Sequence, residues 1–321
     1  MLPTTTLHAL EGALAIDAAG TALAAGAQPG EHQACQNCGT ALQGPYCHHC
    51  GQYDEKSKRP WWILVEHAPD SPTRFQSRIL RSYAWLLLRP GRMTAAFLAG
   101  QRARFVPPIR LYIFTSLIFF LALGASGLVL VQPVSERIQH DGDTDNNVTF
   151  ELLAPPRKTP VLLPGDIQHE GDGVIKIGRK GKQKKINIDQ LVELVNDPVK
   201  MSAFLTEWLP RVLVAAMPIF ALLLGLLYIR RRRGLIDHLV LTLHLHAFLF
   251  EVGVLLIGLR VATGISLPAF ALPLLLSVYF LLTIKRVYRQ NWFKTCVKSF
   301  ILFLAYPNIL LLAAVALAIW T

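Results

Sequence analysis

The chain has 321 residues, of which 52% are hydrophobic, and a formal net charge of +11. That composition fits either one large globular core or several membrane spans, and continuous apolar runs of about twenty residues decide for the membrane, because about 30 Å of hydrocarbon needs that many helical residues. A basic balance often marks a nucleic-acid binder, but here the excess hugs the ends of the apolar runs, as anionic headgroups and topology signals demand.

Residues 1–34 are rich in Ala and Gly. No Lys or Arg precedes Lys56, and Glu11 and Asp17 interrupt the apolar stretch. A cleavable signal needs a positive start and a clean apolar centre, so a disordered or weakly helical leader is expected. Across residues 1–55 there are five acids and no base, a charge of −5.

Residues 35–52 carry two C-x-x-C-G knuckles, Cys35/Cys38/Gly39 and Cys47/Cys50/Gly51. Four thiolates are the soft tetrahedral set that Zn(2+) prefers, and a glycine after each second cysteine suits a tight turn. Gly44 and Pro45 reverse the chain between the halves, with Leu42 and Tyr46 as an apolar cover. The segment is too short for a core, so metal must hold it. Four sulfur ligands leave no open position, which makes the zinc structural. His48 and His49 read as solvent-facing. No Lys or Arg lies in 35–50 to meet phosphate, which disfavours nucleic acid. Cys296 reads as a small apolar residue.

Residues 53–108 form a basic juxtamembrane region; 56–110 hold eleven bases against two acids, +9. On a helix, Phe75, Ile79, Tyr83 and Leu86 share one face and Arg74, Arg78 and Arg81 another, an interfacial amphipathic pattern. Arg89-Pro90-Gly91 ends it, and Trp61 and Trp62 are natural interface anchors. Arg102, Arg104 and Arg110 are candidates to contact anionic lipid headgroups, against the simpler reading that they set orientation.

Five spans are expected in the membrane domain 109–321, at 109–131, 211–229, 239–259, 267–284 and 298–320. Pro268 and Pro273 predict a kink or late start in the fourth. Arg230, Arg231, Arg232 and Arg233 follow the second span, and Lys285, Arg286, Arg289, Lys294 and Lys298 lie between the fourth and fifth. Only Arg260 lies between the third and fourth. The positive-inside rule puts the amino terminus and these basic loops in the cytoplasm and the carboxyl terminus on the periplasmic or extracellular side. The same compartment is reducing, which favours metal over disulfides.

The outside loop 132–210 holds ten bases and twelve acids, −2, and long loops translocate largely regardless of charge. Its DGDTDNN and APPRKTP stretches read as flexible. GVIKIGRKGKQKKINI suggests a short basic hairpin. DQLVELV, from Asp189, reads as an amphipathic helix, and Asp197-Pro198 breaks it ahead of another that leads into the second span.

In the third span, Asp237, His244 and Glu251 recur every seven residues along one face. An ionised carboxylate facing lipid at mid-span is costly, so Glu251 should be protonated, paired with a base such as His244, or facing a polar cavity. His246 lies about 200° around the helix from His244, so the two rings do not share one metal. The three readings are a packing contact, a proton or ion path, and a catalytic His/Glu centre, with the first weighted most.

The ribbon, LLLRPG, the Gly100, Arg102, Phe105, Val106 and Pro108 approach, HLVLTLHLHAFLF and RVYRQNWFKT together resemble bacterial domain-of-unknown-function family 3667, integral membrane proteins with an N-terminal zinc-ribbon. The resemblance implies zinc at Cys35, Cys38, Cys47 and Cys50 in a polytopic bundle, and no assigned reaction. The expected fold class is an all-α polytopic membrane protein, five transmembrane helices preceded by a minimal four-cysteine zinc-ribbon and an interfacial amphipathic helix. The leading functional expectation is an inner-membrane binding or scaffold protein whose knuckle docks a cytoplasmic protein or the bundle itself. The alternatives are a permease-like transporter using His244 and Glu251, and a lipid-acting membrane enzyme.

Overall fold

The computed structural model describes residues 33–54, 72–140, 143–156, 174–177, 184–187, 197–265, 268 and 270–320. Residues 1–32 of the expected 1–34 leader, the Trp61–Trp62 anchor and the helix from Asp189 lie outside the described residues. Among the described residues, seven α-helices and four strands follow the cysteine knuckle: α1 (Pro72–Leu88), α2 (Arg92–Leu98), α3 (Pro108–Ser126), β1 (Val129–His140), β2 (Asp143–Ala154), β3 (Val174–Ile177), β4 (Lys184–Asn187), α4 (Pro198–Leu227), α5 (Leu235–Thr263), α6 (Ala271–Tyr288) and α7 (Trp292–Trp320). Five of the helices, α3 to α7, are long and apolar enough to cross a membrane.

Local chemistry sets the boundaries. Pro108 opens α3, where a missing N–H costs nothing, and Gly127 closes it in the left-handed region at φ 67°. The strand β1 begins two residues later, so the apolar run 109–131 is a helix followed by the root of a strand. Asp197 caps α4, its carboxylate accepting from the amides of Val199 at 2.9 Å and Lys200 at 3.1 Å. The lead-in and the second span are one helix that contains Pro210 and Pro218. Helix α6 starts at Ala271, the late start that the prolines of the preceding segment predict.

Helix α5 is the hub. Two-thirds of its apolar window (67%) is buried, against 11–39% for the other four long helices, so it is the helix with least surface left for lipid. It crosses α3 closely: a Cβ on Gly253 would meet the Phe119 ring at 2.5 Å. Leu224, Leu241 and Ile284 sit fully buried in the shared core of α4, α5 and α6.

The two ends of the bundle are distinct. At one end the short basic loops interlock: Arg286 donates to Pro90 O, Arg231 to Arg289 O at 3.2 Å, Arg233 to Val287 O at 2.8 Å and Lys298 to Leu227 O at 2.6 Å. At the other, β1 and β2 form an antiparallel hairpin tied to α4 by Leu130 N–H donating to Ser202 Oγ at 3.1 Å. The pairing places Asp143 to Asn147 in a strand, where the sequence reads as a flexible tract. β3 and β4 pair antiparallel, as the expected basic hairpin requires.

Helix α1 lies differently from its amphipathic reading. Leu86 is buried, and Ile79 and Tyr83 pack with it against Phe105, Leu111, Phe248 and Tyr279, so the face expected to meet acyl chains is covered by protein. Arg78 is buried as well.

Candidate metal centre and intramembrane polar sites

The two knuckles fold as copies of each other. In the first, the Cys35 amide donates to Thr40 O at 2.8 Å and the Gly39 amide to Cys35 O at 2.8 Å; in the second, Cys47 donates to Gln52 O at 2.9 Å and Gly51 to Cys47 O at 2.8 Å. Gly39 (φ 79°) and Gly51 (φ 73°) turn through the left-handed region, which an L side chain resists. An isolated bridge closes each half, Ala34 with Ala41 and Tyr46 with Tyr53.

This geometry gathers four sulfurs. Cys35 and Cys50 Sγ are 3.6 Å apart, Cys38 and Cys47 Sγ 3.5 Å, and all four lie within 4.8 Å of one another. A tetrahedron of sulfurs around an ion at about 2.3 Å has edges of about 3.8 Å, so the cluster fits a tetrathiolate metal site. The separations are far beyond a bonded disulfide, about 2.05 Å. Burial pushes the Cys35 thiol up to about 12 and raises Cys50, while the Thr40 hydroxyl holds Cys38 down to about 5. Metal ligation takes cysteine as thiolate, so an ion bound here would have to displace the protons of the buried thiols. His48 and His49 are exposed, and Tyr46 packs on Tyr53 with ring centroids 5.0 Å apart.

The knuckle is docked on its own chain. Gln52 donates from Nε2 to Gly100 O at 2.7 Å, and its Oε1 accepts from Arg102 N–H and Ala103 N–H, each at 3.0 Å. Arg104 donates to Asn37 O at 3.1 Å. Gly100 (φ 94°) leaves no room for a Cβ, which would collide with the Gln36 side chain. Sequence reasoning missed Gln52 and Asn37 because pairs 48–67 residues apart leave no local signal.

Of the three arginines proposed for headgroups, Arg104 is thus turned to the knuckle. Arg102 is half-buried; loss of water lowers its pKa to about 10 against the opposing field of the Asp237 carboxylate, and its guanidinium lies 5.9 Å from the Phe97 ring centre. Arg110 is half-buried at the start of α3. Asp237, in the first turn of α5, suits the positive end of the helix dipole.

Within the bundle, His244 Nδ1 pairs with Thr94 Oγ1 on α2 at 2.9 Å. His246 faces another way, Nδ1 to Thr242 O at 2.8 Å and Nε2 to Tyr306 Oη on α7 at 2.6 Å. It borders an apolar cleft of about 180 Å³ between α4, α5, α6 and α7. Glu251 is buried within electrostatic reach of the Tyr83 and Tyr279 hydroxyls. Among the described residues, His244 Nε2 and Glu251 Oε2 are buried without a hydrogen-bond partner. The structure therefore separates the three face residues: Asp237 sits by Arg102, His244 by Thr94 and Glu251 by two tyrosines. His238, which the sequence reading does not mark, bonds Tyr288 Oη at 2.6 Å.

A family model described as a protein of unknown function, DUF3667, matches residues 76–120. That stretch holds most of α1, all of α2, the 100–104 segment under the knuckle and most of α3. No curated protein and no solved structure gives a significant match.

Proposed function

We propose that this chain, which belongs to the DUF3667 family of proteins of unknown function, is a multi-pass binding or scaffold protein of a bacterial inner membrane, organised by a structural zinc-ribbon on its cytoplasmic side. The donor set supports zinc: four cysteine sulfurs at tetrahedral spacing, with no position left for substrate. The cytoplasmic placement is supported by the knuckle sharing one end of the bundle with the arginine-rich loops at 230–233 and 285–294, for which the positive-inside rule favours the cytoplasm. The resemblance to a bacterial family supports the choice of membrane.

One observation carries the scaffold reading: Gln52 grips the 100–104 segment through three main-chain hydrogen bonds. The metal thereby orders the approach to the first span as well as the knuckle. The exposed Tyr46–Tyr53 pair is offered to a cytoplasmic protein. Aromatic side chains of that kind make good interface anchors. A photo-crosslinker at His48 tests this in cells. The same adduct should form reproducibly, and it should vanish in a Tyr46→Ala, Tyr53→Ala variant that keeps its zinc. An adduct indifferent to both tyrosines would remove the partner from the account.

A second reading rests on the unpartnered Oε2 of Glu251 and Nε2 of His244. Intramembrane ionisable groups often mark ion or proton paths. Proton flux into proteoliposomes that disappears with Glu251→Gln would favour this permease-like role; equal leak in both proteins would leave the scaffold.

A further inference from the structure

Helices α4 and α7 pack antiparallel along a seam. The Phe220 and Tyr306 ring centres are 4.5 Å apart, and nearer the basic loops Lys298 Nζ donates to Leu227 O at 2.6 Å. Buried Leu224 and Tyr228 on one side of the seam, and buried Thr295 and Ser299 on the other, mark the flank that faces the core. At about 100° per residue, the outer flank carries Ile219, Leu223 and Leu226 from α4 and Ile301 from α7. Ile219, Leu226 and Ile301 are 45%, 67% and 46% exposed.

Three cations stand at the end of that flank. Lys298 lies within electrostatic reach of Arg230, in the turn after α4, and of Lys294, one turn earlier on α7. Arg231 is also near, but it is turned to Arg289 O and is not counted. The side chains of Arg230 and Lys294 are exposed and make no ion pair or hydrogen bond among the described residues. Lys298 uses one of its three N–H groups on Leu227 O, and the other two remain.

The local charge is not balanced by the protein. Past residue 210 the chain has two acids, Asp237 and Glu251. Asp237 acts on Arg102 and His238, and Glu251 is buried near Tyr83 and Tyr279. The charged neighbours of Lys298 among the described residues are all cations. The carbonyl end of α4 supplies about half a negative charge, which offsets less than one of the three.

Ile219 lies eleven residues before Arg230, about 16 Å along the axis, or half of the roughly 30 Å of hydrocarbon in a bilayer. An apolar flank one leaflet deep, ending in three cations, matches an anionic headgroup on an acyl chain. A zwitterionic headgroup would bring its own ammonium among these cations, and a soluble phosphate would leave the apolar flank unused. We propose that the outer seam of α4 and α7 binds an anionic phospholipid, its phosphodiester held by Arg230, Lys294 and Lys298 and an acyl chain along Leu223, Leu226 and Ile301. This site is independent of the knuckle and of any protein partner.

The test uses the full-length zinc-loaded protein in detergent, with bound lipid counted by native mass spectrometry after mixing with phosphatidylglycerol and phosphatidylcholine. The wild type should retain phosphatidylglycerol preferentially. Arg230→Gln and Lys294→Gln, both at exposed positions, should each lower that retention about tenfold, as loss of one charge-assisted hydrogen bond implies. Arg232→Gln removes an equally exposed charge from the same loop and should leave retention unchanged. Millimolar glycerophosphoglycerol, the headgroup without its chains, should not displace the lipid. Wild-type retention in both Arg230→Gln and Lys294→Gln would overturn the proposal. An equal loss in Arg232→Gln would mean that the loop attracts anions only through its total charge, which also overturns it. Full displacement by glycerophosphoglycerol would reassign the cations to a soluble anion.

Discussion

Replacing Gln52 with Leu removes the amide that joins the knuckle to the membrane domain while keeping its bulk. Three hydrogen bonds of 2.7, 3.0 and 3.0 Å are lost. A typical intramolecular hydrogen bond contributes about 1 kcal/mol net, and Gln52 is only half-buried, so water recovers part of the loss. Docking should weaken by about 2–3 kcal/mol, roughly 30- to 150-fold in the open-to-docked ratio at about 1.4 kcal/mol per tenfold. The reporter is the Ala103 amide, which donates to Gln52 Oε1. Hydrogen exchange in detergent should speed up there by that factor, with zinc still bound, because all four ligands are untouched. Unchanged protection at Ala103 in a zinc-loaded Gln52→Leu protein would refute the reasoning that this side chain couples metal to membrane domain.

Three further outcomes follow from the same geometry. Cys38→Ser should abolish stoichiometric zinc, measured by metal analysis, and expose the 100–104 segment to protease; structural zinc contributes on the order of 10 kcal/mol to a small site, so partial loading would contradict the four-thiolate assignment. Gly91→Ala places a Cβ 2.8 Å from Thr283 Cα at a backbone φ of 68°, and overpacking with left-handed strain should lower stability in a detergent melt by about 2–4 kcal/mol. An unchanged melting temperature would mean that the turn before α2 does not press on α6. Glu251→Met removes a buried oxygen with no partner and should raise stability by about 1–3 kcal/mol; a large loss would show that the carboxyl holds a contact essential to the bundle.

Much of this arrangement is legible residue by residue. The duplicated C-x-x-C-G spacing announces the sulfur cluster, because a metal asks for four thiols at that interval. Twenty-residue apolar runs announce the long helices, and Asp197 before Pro198 announces a helix start. Two kinds of information are hidden. The run through Leu128, Val129 and Leu130 is equally apolar as helix or strand, so the switch at Gly127 to the β1–β2 hairpin leaves no change in hydropathy. Partner choice is hidden too. The Ile79, Tyr83 and Leu86 face is apolar enough for lipid, and only the folded positions of Phe105 and Phe248 show that protein covers it. Likewise His244 reads as a partner for Glu251 seven residues on, whereas Thr94, 150 residues away, supplies its hydrogen bond.

The placement of the sulfur-rich knuckle on the cytoplasmic side, at the same end as the basic loops, is tested most directly by thiol labelling in intact cells. All five native cysteines belong to the knuckle or to the start of α7, so a membrane-impermeant maleimide, added with a chelator, should reach none of them until the cells are lysed. A cysteine placed at Thr321 should be labelled from outside without lysis. Labelling of Cys38 in intact cells, with the Thr321→Cys site protected, would contradict the account by turning the whole bundle over.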